Sequence, residues 1–118
     1  MSSQIIPLSS AVTPESSSPA PDRVLEGSPR QTVSTYFSDP SNQFFAGRWS
    51  STQGKWRVRY SENELCVMTA GRVRLTGEDG AESVFGAGDA FVVPAGFSGT
   101  WEVLEDCTKI FAVFEKAN

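Results

Sequence analysis

The chain has 118 residues, 10 basic and 14 acidic side chains, no histidine and a formal net charge of -4. That length suits one domain able to bury a core without a disulfide or metal staple, and the acidic balance leaves no basic field for nucleic acid. The longest apolar run, around Ala90–Val93, stops at Pro94, far short of the ~20 residues a membrane helix needs.

Residues 1–30 hold five of the seven prolines and many serines, a composition that buries too little apolar surface to offset the entropy of ordering it. The expected organisation is a largely flexible Pro/Ser-rich arm over 1–30 and a single domain over 31–118. Gln4–Leu8 stands out as a short apolar piece. It either adds as an edge strand, to its own sheet or to a partner's, or belongs to a disordered leader. The chain opens with no basic n-region or continuous apolar h-region, so the expected compartment is the cytoplasm. Cys66 and Cys107 make a poor disulfide framework and read as buried thiols on strands.

Val33–Phe37 is rich in strand formers, and the turn-like Ser38–Asn42 follows it. Phe44–Trp49 resumes an apolar run and ends at the loop Ser50–Gly54. Trp56–Tyr60 alternates strictly, placing Trp56, Val58 and Tyr60 on one face and Arg57 and Arg59 on the other. The same alternation turns Glu64, Cys66 and Met68 one way and Leu65 and Val67 the other, so both faces of that strand are apolar and something must cover the outer one. Val73–Thr76 and Glu82–Phe85 flank Gly77–Gly80, whose Asp-Gly step is a strong hairpin signal. After Ala90–Val93, Gly99–Val103 and Thr108–Phe114 are two further strands, the second with Lys109, Phe111 and Val113 on one face. No segment sustains a helical period, which argues for an all-β barrel. Gly86 and Gly88 precede a strand and not a helix, so they are turn residues and not a phosphate cradle.

Glu64 and Gly71, separated by six residues, and Gly88, Pro94 and Gly96 in the spacing Gly-x5-Pro-x-Gly resemble the two motifs of the cupin superfamily. The resemblance runs over roughly residues 48–115 and implies a double-stranded β-helix, the RmlC-like jelly-roll barrel. More narrowly, Glu64–Gly71, Gly88-Asp89, Pro94–Trp101 and Lys109–Phe111 are similar to the short cupin domains of (S)-ureidoglycine aminohydrolase and of the ethanolamine-utilisation cupin. The ligands depart from the pattern: Val58 and Tyr60 stand where the first motif has its histidines, Gly99 replaces the third histidine and Val103 an asparagine. The resemblance also implies a homodimer.

The metal cage of the superfamily, three histidines and a glutamate, would be left with Glu64, helped at most by Tyr60 or Cys66, too few and too mixed a set, so the expected cofactor is none and the metal ligand set is empty unless Glu64 serves. A glutamate facing an apolar interior is protonated or paired. Lys109 is its natural partner, and a contact within salt-bridge range is expected. Glu64 and Lys109 are therefore the candidate catalytic pair, general base and acid in a pocket lined by Trp56, Val58, Tyr60, Cys66, Gly99 and Trp101. The plainer reading is a buried ion pair that replaces the lost metal centre, with Trp49 and Phe44 as packing and Arg57 and Arg59 as solvated or interfacial charges. Three functions follow: a metal-free cupin binding a small polar or carboxylate-bearing metabolite, which is preferred; an enzyme of ureide or amine metabolism using Glu64; or an accessory barrel with a filled core.

Overall fold

The computed structural model describes residues 3–9 and 11–117. It is a nine-stranded antiparallel sheet curled into a jelly-roll barrel, formed by β1 (Glu15–Ser17), β2 (Val24–Glu26), β3 (Gln31–Ser38), β4 (Phe44–Ser51), β5 (Gly54–Arg59), β6 (Asn63–Gly77), β7 (Glu82–Gly86), β8 (Ala90–Val93) and β9 (Ser98–Phe114). A 3-10 turn, Pro21–Arg23, precedes β2, and the described residues contain no α-helix. None is therefore long and apolar enough to cross a membrane.

Two strands are longer than the sequence reading drew them, and their bends make the barrel. β6 is 15 residues long and passes through Gly71, which sits at φ +79°. Only a residue without a side chain fits there, since a Cβ would lie 2.3 Å from the Asp106 carbonyl oxygen. Register shifts between Met68 and Val73 insert the bulge that changes the inward parity. Glu64, Cys66 and Met68 are buried before the bend, Val73 and Leu75 after it. Likewise Gly99–Val103 and Thr108–Phe114 are one 17-residue strand, β9. The first half of β6 lies between β8 and the second half of β9, and its second half between β7 and the first half of β9. β4 and β5 then flank the two halves of β9. Each long strand thus serves both layers, and the core of Trp56, Cys66, Met68, Val73, Leu75, Val93, Trp101, Val103 and Cys107 sits between them.

The N-terminal arm carries structure that its composition does not announce. β1 pairs with β3, and β2 pairs with β5 through Val24 opposite Trp56. Gln4–Leu8 enters no strand; Pro7 has no N–H to give a ladder. Arg48 Nε instead donates to the Leu8 carbonyl oxygen at 2.6 Å.

Candidate functional site

A cavity of about 460 Å³ lies between the two layers on the β4/β5 side, lined by Trp49, Trp56, Val58, Tyr60, Glu64, Trp101, Lys109, Phe111 and Val113. Alternation on β5 supplies Trp56 and Val58, and β9 supplies Trp101, Lys109, Phe111 and Val113 at odd positions. Glu64 comes from the first inward position of β6.

At the floor, Lys109 Nζ lies 2.8 Å from Glu64 Oε2 and Tyr60 donates its hydroxyl to Glu64 Oε1 at 2.8 Å. The expected Glu64 to Lys109 contact is thus present, with both side chains buried. The ammonium also lies 4.3 Å from the centroid of Trp101 and 4.6 Å from that of Trp49, where the ring faces attract a desolvated cation. It further lies 3.6 Å from Cys66 Sγ. Each charge therefore has several partners, the condition under which burying a pair is tolerated. Burial, with the Glu64 carboxylate beside it, pushes the Tyr60 phenol far up and keeps it a donor. Burial likewise pushes the Cys66 thiol up to about 12, against the opposing pull of Lys109. Cys66 is thus a thiol at neutral pH and no nucleophile.

Two residues named from the sequence do not line the cavity. Cys66 is wholly buried, behind the ion pair that it touches. Gly99 is held between Val58 and Gly77, where a Cβ would lie 2.0 Å from the Thr76 carbonyl oxygen, so it answers to strand packing and not to a ligand. Other residues join the wall unforeseen. Trp49, read as packing, lines the cavity, and exposed Arg57 and Arg59 reach its edge. Pro19, Ala20 and Arg23 come from the arm, placed there by the β2–β5 pairing; alternation within the barrel strands carries no signal for them. Glu62 stands at the same mouth, its carboxyl pushed up by burial and then by the Glu115 and Glu64 carboxylates.

Trp101 is 2 % exposed, and its indole N–H has no acceptor among the described residues. The donor set does not fit the three-histidine, one-glutamate cage. The chain has no histidine, the described residues contain no group of three or more His, Cys, Asp or Glu side chains, and both Glu64 oxygens already accept bonds.

The sequence profile of the EutQ-like cupin domain matches residues 38–111. Among solved structures, a DUF861 protein of unknown function from Pseudomonas syringae pv. tomato is similar at a TM-score of 0.80 and 26% identity, over 92% of this chain and 46% of that one. This chain therefore spans about half the length of that relative. A DUF861 protein from Thermotoga maritima is 33% identical over 54% of this chain and 73% of its own, with a TM-score of 0.53. A putative ethanolamine utilization protein Q from Salmonella typhimurium shares the fold at a TM-score of 0.67 and 11% identity, covering 92% of this chain and 100% of that one. No curated protein matches the chain.

Proposed function

The chain belongs to the EutQ-like cupin family, and from that premise we propose that its barrel binds a small carboxylate-bearing metabolite without a metal, the Lys109 ammonium standing where a metal cation would sit. The observation that carries this reading is the buried indole N–H of Trp101, which has no acceptor among the described residues, in a side chain that lines the cavity and turns its ring to that ammonium. A buried donor left unmade is costly, and a ligand oxygen relieves the cost. Charge points the same way. Although the whole chain is acidic, the residues around the cavity include Arg23, Arg57, Arg59 and Lys109 against Glu62 and Glu64. Four cations against two carboxylates, in a cleft with low-dielectric walls, favour an anion. A cavity of about 460 Å³ is in the usual range for a metabolite and disfavours the filled barrel.

Isothermal calorimetry with acetate, glycolate, oxalate and succinate tests this. At least one is expected to bind wild type, and Trp101→Phe, which keeps the ring and loses the N–H, is expected to weaken it ~10-fold, the value of a hydrogen bond to a charged acceptor. Equal affinity in the variant, or near-stoichiometric Mn, Fe, Ni or Zn in protein purified without added metal, would contradict the reading.

We propose further that a second copy of the chain covers the outer face of the layer holding the first half of β6. The register sets Leu65 between Val92 and Ala112 and sets Phe114 against Phe44. Leu65 is 45 % exposed, Val92 61 %, Phe44 40 % and Phe114 44 %, a contiguous apolar patch of the kind that marks an interface.

A further inference from the structure

A second cavity, about 400 Å³, lies between the β6–β7 hairpin and β8. Phe91 lines this one and Trp101 the first, and their ring centroids are 6.2 Å apart, so the two cavities approach each other across this aromatic contact. Its walls are apolar. Phe85 and Phe91 stack at 3.9 Å with an 11° tilt, and buried Leu75 and Val93 lie beside them.

The rim differs from that of the first cavity. Glu78 and Asp79 stand on it and none of the lining residues is a cation. Glu78 accepts from Ser98 Oγ at 2.7 Å, and Asp79 from the Ala81 N–H at 3.0 Å. Each bond uses one carboxylate oxygen, and neither residue has an ion-pair partner among the described residues. Arg59, opposite Ser98 in the β5–β9 register, makes no ion pair with Glu78.

We propose that this cavity is a second binding site, for a small organic cation: a primary amine on an aromatic or aliphatic body. The body lies on the stacked phenylalanines and the ammonium reaches the two rim carboxylates. The rim carboxylates, with no lining cation to offset them, favour a cation over an anion. The volume suits a small molecule. The two cavities thus select opposite charges, cationic groups around one and carboxylates on the rim of the other.

Phenethylammonium and 3-phenylpropionate, which share an apolar body and differ in charge, make the test. Each is titrated into the 15N-labelled 118-residue chain at neutral pH, with Glu78→Gln/Asp79→Asn as the variant, which retains the acceptor oxygens of both rim contacts. The amine is expected to shift amide signals of residues 77–85 and 91–98 and to bind roughly tenfold more tightly than the acid. The double variant should lose about fivefold in amine affinity, the worth of two partly exposed ion pairs. The proposal is overturned by equal affinity for the two probes, by an amine affinity unchanged in the variant, or by amine-induced shifts confined to the Trp49, Trp56 and Trp101 cavity.

Discussion

Replacing Lys109 with methionine keeps most of the stem and removes the ammonium, leaving the Glu64 carboxylate buried with only the neutral Tyr60 hydroxyl and Cys66 thiol as donors. Such an uncompensated charge costs ~3–5 kcal/mol, so Lys109→Met should lower the denaturation midpoint accordingly, and Glu64→Leu/Lys109→Met should recover most of the loss. A single-variant loss below ~1 kcal/mol would mean that water reaches the pair. The thiols make a second prediction. Burial moves Cys66 from the ordinary 9.0 to about 12 and Cys107 from 9.0 to about 11. The folded state therefore holds both protons after the unfolded chain has lost them. This contribution is complete below pH ~9 and is lost as pH rises toward 11–12. Urea midpoints should fall over that window and fall less in Cys66→Ala/Cys107→Ala; a slope unchanged in the variant would contradict the assignment. At this level much of the site is legible in the sequence, because strict alternation puts Trp56, Val58 and Tyr60 on one face and then Glu64. Gly99 misleads, since a glycine aligned with a ligand position and a glycine demanded by the Thr76 backbone look the same in one sequence.

Strand positions follow from turn residues and alternation, and the hairpin around Gly77–Gly80 is where the Asp-Gly step places it. The continuity of β6 and β9 does not. A glycine at a strand end and one at a strand bend have the same letter, and the parity change between Met68 and Val73 depends on a bulge set by β9. Gly71→Ala is expected to strain that bend, since φ +79° and a Cβ 2.3 Å from the Asp106 carbonyl oxygen both oppose it. The conformational strain alone is ~1–3 kcal/mol, and a melting temperature equal to wild type would show that the bend lies elsewhere. The β3–β4 turn rests on Asp39, whose carboxylate accepts the Gln43 and Phe44 N–H groups at 2.8 Å each. The Ser41 hydroxyl first, then these amides, hold its pKa near 2. Asp39→Ala should therefore speed hydrogen exchange at Gln43 and Phe44; unchanged rates would remove that role.

Charge and covering surface belong to the whole molecule. A chain of net charge -4 gathers three of its seven arginines around one opening, and composition cannot reveal this because Arg23 arrives from the arm by the pairing of β2 with β5. The apolar outer face, by contrast, is legible from Leu65 and Val67 alternating against Glu64 and Cys66. Sedimentation velocity should find wild type dimeric and Leu65→Glu/Val92→Glu monomeric with an unchanged far-UV spectrum; a monomeric wild type would remove the second copy. The interior is tested most directly by the indole N–H signal of Trp101 in 15N-labelled protein, assigned by its disappearance in Trp101→Phe. Titration with the tightest of the four carboxylates should move that signal downfield as the N–H gains an acceptor, with saturation at the calorimetric affinity. A carboxylate that saturates the protein and leaves the Trp101 signal in place would contradict the account.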